Sequence, residues 1–247
     1  MLRKRLCVVP YKRYSEGARI LARKLGVHRM PDPDLIRGGL HVINWGNSQW
    51  EVPPAVKVFN RPERVKIAVD KFLTYQAFQA AGVPTVPFTT DRAVAATWKG
   101  PIICRTLLKA SEGKGIVVAE SPVDLVPAKV YTSYVKKKRE YRVHIFNGKV
   151  IGYKRKVKLD GAEVKDFYIR SHANGYRYII DKDHPPSQSI LDTAVAACGA
   201  LRLDFGGVDV IWREKDDKAF ALEVNCAPGL TDMTGDWYAD AFRGVYK

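Results

Sequence analysis

The sequence predicts an α+β protein in which several lobes of mixed helix and strand pack around a cleft. Short apolar runs alternate with segments of helical spacing along the 247 residues, and 46% of the residues are hydrophobic, as in ordinary globular proteins. The pair Asn147-Gly148 lies between two alternating runs, which is a strong signal of a β-hairpin. Because ligands usually bind in clefts between lobes, we expect the functional site there.

Residues 1–60 are predicted to form a short α/β lobe. RLCVVP and LHVINW each favour a strand, and SEGARILARKLG between them has helical spacing, with Ser15 as its expected N-cap and Gly26 just beyond its end. The apolar stretch LCVVP is too short for a signal peptide, and no run approaches the roughly 18–20 apolar residues of a membrane span. We therefore expect no membrane partner.

The cysteine pattern favours a reducing compartment. The four cysteines are scattered through apolar stretches and have no metal-type spacing. We expect all four to be buried thiols, which fits a cytoplasmic protein.

Residues 61–247 are predicted to form the main domain, divided at about residue 135. RPERVKIAVDKFLTYQAFQAAG is predicted to be one helix, and a strand-rich segment follows it in the smaller lobe. The larger lobe, residues 136–247, is expected to contain a basic hairpin, a helix after Pro185-Pro186, two strands joined by REKDD and a C-terminal helix.

The charge of the chain is high and uneven. The formal net charge is +15. Residues 1–30 have nine lysines and arginines against one acid, and residues 129–177 have fourteen against four, whereas residues 178–247 have seven against twelve. The basic regions favour an acidic partner and the acidic region favours a cation site, although basic faces that serve solubility alone are the alternative.

Two predicted strands near the C-terminus have oxygen-bearing side chains. VDVI places Asp209 in one strand, and LEVN places Glu223 and Asn225 in the next. Because strand side chains alternate, Glu223 and Asn225 point to one face while Leu222 and Val224 point to the other. If REKDD forms a hairpin turn, Asp209 joins them. Such hard ligands suit Mg²⁺, and a solvated polar strand face is the alternative.

A glycine-containing loop is a second candidate. PIICRTLLKASEGKGIVV predicts strand, loop and strand, and the loop tip has Ser111, Gly113, Lys114 and Gly115. Glycines allow backbone N–H groups to approach an anion closely, and Lys114 adds positive charge. The pattern GxxxxGK[ST] is absent, so this is not a P-loop, and a plain turn is the alternative.

The basic hairpin KKKREYRVHIFNGKVIGYKRKVK is a third candidate. Glu140 and Arg142 share one face of their strand, and Arg155 faces opposite to Lys154 and Lys156. Convergent lysines and arginines are what a triphosphate requires, whereas a solvated basic face is the alternative.

In this order, the segments resemble the ATP-grasp superfamily, the nucleotide-dependent ligase fold of D-alanine–D-alanine ligase and of the ribosomal-protein glutamate ligase. The resemblance runs from about residue 60 to 232 and is most specific in VDVI followed by LEVNCAPGLT. INWGNSQW is further similar to small bacteriophage-encoded members. The resemblance implies two α+β lobes that clasp ATP, preceded by a short α/β lobe. It also implies two Mg²⁺ ions on Asp209, Glu223 and Asn225, with Mn²⁺ able to substitute.

The resemblance also implies roles for further residues. DKFLTYQAFQAAGVPTVPF is similar to the helix that supplies a phosphate-binding lysine, and YTSYVKKKREYRV is similar to the hinge between the lobes. The implied ATP-binding residues are Lys71, Arg105, Ser111, Gly113, Lys114, Gly115, Tyr134, Val135 and Glu140. The residues implied to hold the triphosphate and the reacting intermediate are Arg142, Arg155, Arg170 and Asn174.

The sequence departs from the family pattern at two informative positions. Arg105 stands where many members have lysine, which keeps the charge but not the shape. Gly207 stands two residues before Asp209, where some peptide-forming ligases have an arginine that supports the tetrahedral intermediate.

The function implied by the resemblance is that of an ADP-forming carboxylate–amine ligase that depends on ATP and Mg²⁺. It would form an acyl phosphate on an acidic peptide or a small carboxylate and transfer it to an amine. Two alternatives stay open. One is a phosphotransferase of the same fold acting on a phosphorylated small molecule, and the other is a nucleic-acid-associated ATP-binding protein that uses its basic regions.

Overall fold

The computed structural model describes residues 6–110, 113–164 and 166–246. These residues form three sheets, six α-helices and several short 3₁₀ turns. The predicted loop residue Ser111 lies outside the described residues. Among them, no helix has both the length and the apolar character needed to cross a membrane.

The first sheet is parallel and has the strand order β2-β1-β3-β4. Its strands are β1 (Leu6–Pro10), β2 (His28–Arg29), β3 (His41–Trp45) and β4 (Lys57–Phe59). Helix α1 (Glu16–Leu25) begins after Ser15, whose hydroxyl accepts a hydrogen bond from the N–H of Ala18, and ends at Gly26 in the left-handed conformation. Both predicted caps are therefore confirmed.

The second sheet is antiparallel and has the order β5-β8-β6-β7. Its strands are β5 (Phe88–Thr89), β6 (Ile102–Arg105), β7 (Ile116–Ala119) and β8 (Val130–Ser133). Helix α4 (Arg92–Ala96) packs against β5 and β8, and helices α2 (Pro62–Ala68) and α3 (Lys71–Ala80) precede this sheet in the chain.

The single helix predicted after residue 61 is wrong, because the chain breaks between α2 and α3. Asp70 has an extended backbone, and its carboxylate accepts hydrogen bonds from the N–H groups of Phe72 and Leu73 at 3.0 and 3.2 Å. A carboxylate in this position caps a new helix rather than continuing the old one. The break makes Lys71 the first residue of α3.

The third sheet is antiparallel and has the order β11-β10-β9-β12-β13. Its strands are β9 (Arg139–Phe146), β10 (Lys149–Lys158), β11 (Tyr176–Ile179), β12 (Phe205–Arg213) and β13 (Lys218–Asn225). The predicted hairpin between β9 and β10 is confirmed, and its turn residues Asn147 and Gly148 both have positive φ. The predicted hairpin between β12 and β13 is also confirmed.

The two faces of the third sheet have different environments. One face packs against α2, α3 and α5 (Gln188–Ala200) and forms the largest apolar core. At one end of the other face, Phe205 stacks on Trp45 of the first sheet with ring centroids 5.3 Å apart. Helix α6 (Asp232–Val245) contributes Tyr238 and Phe242 to the same cluster. The remaining part of this face lines the candidate site.

The domain division predicted at residues 60 and 135 stays a prediction.

Candidate active site

A cavity of about 660 Å³, here called the central cavity, lies between the second and third sheets. Tyr134, Val135 and Lys137, from the chain segment that links these sheets, form one wall, and the glycine loop before β7 forms another. The sequence-predicted residues that line the cavity are Lys71, Arg105, Gly113, Lys114, Tyr134, Val135, Glu140, Arg142, Arg170, Asp209, Glu223 and Asn225. The fold therefore brings most of the predicted site residues together.

The three oxygen-bearing residues lie side by side at the floor of the cavity. In the strand register, Asp209 is opposite Glu223, and Gly207 is opposite Asn225. The side-chain amide of Asn225 donates to Glu223 Oε1 at 3.0 Å and to the carbonyl of Gly207 at 3.3 Å. Pairing of β12 with β13 therefore puts two carboxylates and an amide on one face.

A β-bulge changes the predicted orientation of Leu222. The register skips Leu222, because Asp209 pairs with Glu223 while the next residue, Val210, pairs with Ala221. Leu222 consequently lines the central cavity beside Glu223 instead of pointing away from it. Simple alternation over LEVN could not show this extra residue.

Each of the two carboxylates has its own cation. Arg142 donates to Asp209 through two parallel bonds, Nε to Oδ1 at 2.6 Å and Nη2 to Oδ2 at 2.8 Å. The Lys71 ammonium lies 2.5 Å from Glu223 Oε2. Although burial alone would raise it, Lys71 holds the pKa of Glu223 well below its ordinary value. Burial raises the pKa of Asp209 against the opposing effect of Arg142.

This donor set fits Mg²⁺ that is shared with a substrate. Among the described residues, no group of three or more His, Cys, Asp and Glu side chains could hold a metal ion. The protein could supply three ligands here, namely the carboxylates of Asp209 and Glu223 and the amide oxygen of Asn225. Mg²⁺ is usually held by one or two carboxylates together with substrate phosphates, so an ion here would take its remaining ligands from a phosphorylated substrate.

The structure explains the glycine at position 207. A Cβ at Gly207 would lie 3.2 Å from Cδ of Arg142 and 3.1 Å from Cβ of Pro228. The aliphatic stem of Arg142 therefore crosses over Gly207. A guanidinium is still present beside Asp209, but it comes from the neighbouring strand β9 rather than from two residues before Asp209.

Arg155 and Asn174 are not brought to the cavity. Arg155 lies on the opposite face of β10, where its guanidinium pairs with Asp181 at 2.5 Å. The amide of Asn174 donates to the carbonyls of Asp166 and Ile169 at 2.5 and 2.7 Å, so it holds a loop in shape. These positions do not support the triphosphate-binding roles predicted for the two residues. Gly115 is also absent from the lining.

Lys156, Lys137 and Tyr178 are cavity residues that the sequence reasoning did not select. Lys156 forms an ion pair with the buried Glu140, the residue expected at the ribose. The Lys137 ammonium donates to the carbonyl of Tyr168 at 3.1 Å, and burial lowers its pKa to about 8. Strand alternation in YKRKVK predicted that Lys156 and Arg155 lie on opposite faces of β10. It did not show which of the two faces lines the cavity.

Polar atoms without partners point to an anionic ligand. The Tyr178 hydroxyl and Arg105 Nε are buried and have no hydrogen-bond partner among the described residues, although both side chains line the cavity. Arg142 and Lys156 lie over the Tyr178 ring, with charge-to-centroid distances of 4.3 and 4.8 Å. Buried polar groups are normally satisfied, so a ligand that accepts hydrogen bonds fits this region.

The glycine loop contacts the loop between β10 and β11. Gly113 has a φ of +81°, and a Cβ there would lie 3.1 Å from Cγ2 of Ile169. Gly115 has a φ of +70°, and its Cβ would lie 2.8 Å from Cγ of Leu107. Gly113 therefore allows the loop tip to approach the opposite wall of the cavity, and Gly115 allows the two sides of the loop to pack closely on each other.

No protein-family model matches the chain. It is 27% identical over 194 residues to a probable alpha-L-glutamate ligase of Parasynechococcus marenigrum, which covers 71% of this chain and 39% of the relative. It is 29% identical over 187 residues to the D-alanine–D-alanine ligase of Pseudomonas putida, which covers 67% of this chain and 57% of the relative. The chain thus matches less than two thirds of the length of either relative.

Solved structures share the fold over nearly the whole chain. D-alanine–D-alanine ligase from Bacillus anthracis superposes with a TM-score of 0.68 at 14% identity, covering 98% of this chain and 96% of that one. The ATP-grasp ligase PsnB with a minimal precursor gives 0.69 at 14% identity and covers 100% of both chains. A RimK domain protein from Sphaerobacter thermophilus gives 0.65 at 12% identity, covering 96% and 98%. The chain therefore has the ATP-grasp fold.

Proposed function

We propose that this protein is an ADP-forming carboxylate–amine ligase that depends on ATP and Mg²⁺. The observation that carries the proposal is the placement of Asp209, Glu223 and Asn225 on one face at the cavity floor, with Lys71 and Arg142 beside the carboxylates. Ligases among the relatives by sequence support the same activity.

Asp209, Glu223 and Asn225 would hold two Mg²⁺ ions, for which Mn²⁺ could substitute, together with the phosphates of the substrate ATP. Bound Mg²⁺ supplies positive charge that offsets charge on the transferring phosphoryl group. Lys71 and Arg142 are already held beside these ligands by ion pairs, so they are placed to contact phosphate oxygens.

The other cavity residues would hold the rest of the nucleotide. Tyr134 and Val135 are proposed to face the adenine, and Glu140 the ribose. Arg105 and the glycine-loop residues Gly113 and Lys114 line the cavity opposite the third sheet, where they can donate to phosphate. Lys156 replaces Arg155 in this proposal, because Lys156 lines the cavity and Arg155 pairs with Asp181.

In the proposed reaction, a carboxylate oxygen of the substrate attacks the γ-phosphorus of ATP, and the bond to the oxygen of the leaving ADP breaks. An amine nitrogen then attacks the carbonyl carbon of the acyl phosphate, loses a proton and displaces inorganic phosphate. Arg142 and Arg170 line the cavity and would stabilise negative charge on the acyl phosphate. No protein nucleophile is needed, because phosphorylation itself activates the carboxylate.

An acidic peptide or a small carboxylate is the proposed acid substrate. One relative is named as a glutamate ligase, and one PsnB structure contains a precursor peptide. In this chain, Arg170 and Arg177 line the same cavity, and cationic side chains suit a carboxylate-bearing substrate. All four cysteines are buried free thiols, so we keep the cytoplasm as the proposed compartment.

Trapping with hydroxylamine tests this function. ATP consumption would be screened over amino acids, acidic peptides and nucleotides, with and without hydroxylamine. We expect ADP release to depend on a carboxylate substrate and to yield a hydroxamate, since hydroxylamine attacks an acyl phosphate. A phosphorylated product with no hydroxamate would contradict the ligase proposal and favour the phosphotransferase.

A further inference from the structure

A second concave surface adjoins the chain segment 134–138, here called the hinge, and shares part of its lining with the central cavity. This outer cleft has a volume of about 700 Å³ and is lined by Pro87, residues 133–138 and 213–215, Lys218 and Phe220. It therefore lies where the second sheet, the hinge and the turn between β12 and β13 meet. A volume of several hundred Å³ is typical of ligand sites.

The outer cleft has a strong excess of positive charge. Its six cationic lining residues are Lys136, Lys137, Lys138, Arg213, Lys215 and Lys218, and its single acid is Glu214. Both basic residues of the turn REKDD, Arg213 and Lys215, line the cleft, whereas Asp216 and Asp217 do not. A cleft lined by one sign of charge concentrates ligands of the opposite sign.

Two of these cations are paired with carboxylates, a third donates to a carbonyl, and the other three are exposed lysines. Lys138 pairs with Glu214 at 3.3 Å, and Arg213 forms two bonds to Asp216 at 2.8 and 2.6 Å. The Lys137 ammonium is turned to the carbonyl of Tyr168. The exposed lysines 136, 215 and 218 have no carboxylate within ion-pair distance in the part of the chain that the structure describes. The cleft thus keeps three lysine charges for a ligand.

The chemistry of the cleft favours carboxylates over a nucleic acid. Arg213 already uses its guanidinium on Asp216, so the positive charges left for a ligand are lysine ammonium groups, which are flexible point charges. Phe220 is only 7% exposed and lies under Arg213 and Lys218, so it offers no free ring for base stacking. Pro87 and Val135 add apolar surface, which suits the aliphatic part of glutamate side chains.

We infer that the outer cleft binds an acidic peptide segment, held by the lysines at positions 136, 215 and 218. This goes beyond the proposed reaction, because it requires neither ATP nor ligation. It is also structurally coupled to the central cavity, since Ser133, Tyr134, Val135 and Lys137 line both. A peptide in the outer cleft would contact the hinge, and Tyr134 and Val135 of the hinge are proposed to face the adenine in the central cavity.

Fluorescence anisotropy with a labelled peptide of ten glutamates, measured without ATP, tests the inference. The test variant is Lys136→Glu/Lys215→Glu/Lys218→Glu. The matched control is Lys66→Glu/Lys99→Glu/Lys182→Glu, which changes the net charge equally at exposed lysines outside both lining sets. We expect affinity to fall about tenfold or more in the test variant and to change by less than about threefold in the control. Equal melting temperatures would show that both variants are folded.

Three outcomes would overturn the inference. Equal loss of affinity in the two triple variants would mean that only net charge attracts the peptide. Loss in Arg170→Ala, with binding kept in the test variant, would place the peptide in the central cavity. Tighter binding of a ten-nucleotide oligouridylate that is lost in the same test variant would identify the cleft as a nucleic-acid site.

Discussion

Arg142 and Asp209 form a buried bidentate ion pair that joins the adjacent strands β9 and β12 of the third sheet at the cavity floor. The two residues are directly opposite each other in the register of β9 and β12, and their side chains are 17% and 7% exposed. Breaking such a pair leaves one buried charge without a partner, which costs about 3–5 kcal/mol.

We predict that Arg142→Met lowers the free energy of unfolding by about 3 kcal/mol or more at neutral pH. Adding Asp209→Asn should recover part of this loss, because the second change removes the unpaired carboxylate. Urea unfolding of the two single variants and the double variant checks this as a double-mutant cycle. Additive effects of the two changes would contradict the coupling of Arg142 to Asp209.

Glu223→Gln should abolish most ATP turnover while the protein stays folded. The amide keeps the shape of Glu223 but removes the charge that Lys71 and a metal ion require, so kcat should fall by about 10²–10³-fold or more. ADP release is the measurement, and Asp216→Asn at an exposed ion pair is the control. Full activity in Glu223→Gln would refute the proposed metal site.

Lys156 and Arg155 should behave differently, although they are neighbours on β10. Lys156→Met removes a cavity cation and leaves the buried Glu140 unpaired, so it should raise KM for ATP by about tenfold and also lower the melting temperature. Arg155→Met breaks the ion pair with Asp181 and should lower the melting temperature without raising KM. Nucleotide titrations and thermal unfolding of both variants separate these effects. A raised KM in Arg155→Met alone would restore the role that the sequence had predicted for it.

Lys137 should react with amine reagents at an unusually low pH. Burial lowers its pKa to about 8 from the ordinary 10.5, so its acetylation rate should rise with a midpoint near pH 8. ATP should protect it, because Lys137 lines the central cavity. Peptide mass spectrometry against the exposed Lys99 gives the comparison, and a midpoint shared with Lys99 would contradict the prediction.

The lowered pKa of Lys137 also makes the free energy of unfolding depend on pH. Between about pH 8 and pH 10.5 the unfolded chain keeps the Lys137 proton that the folded chain has lost. The unfolded state therefore binds more protons, and the free energy of unfolding should rise with pH across this window. Lys137→Met should lack this rise when the two proteins are compared by urea unfolding at each pH.

The floor of the site was predictable from the sequence because it depends on strand alternation. Asp209, Glu223 and Asn225 were placed together by period-two spacing and a hairpin turn, both of which are local properties. Alternation also put Lys156 and Arg155 on opposite faces, but it could not show which face meets the cavity. That choice depends on where α5 packs, which is a tertiary property.

Other features depended on single residues that override the periodic pattern. Asp70 ends one helix and begins another because its carboxylate competes for backbone N–H groups, although the apolar spacing continues through it. The bulge at Leu222 inserts one residue into a strand without any special sequence signal. Asn174 and Tyr178 belong to a loop and an edge strand whose positions follow from contacts between distant segments.

The stacking of Trp45 on Phe205 limits how the cavity can open. Helix α6 inserts Tyr238 and Phe242 between the first and third sheets, so these two sheets are expected to move as one body. The helices α2 and α3 are also fixed to the third sheet by its main core. Nucleotide entry should then require movement of the outer part of the second sheet, strands β6 and β7, which packs with α4 around a separate small core.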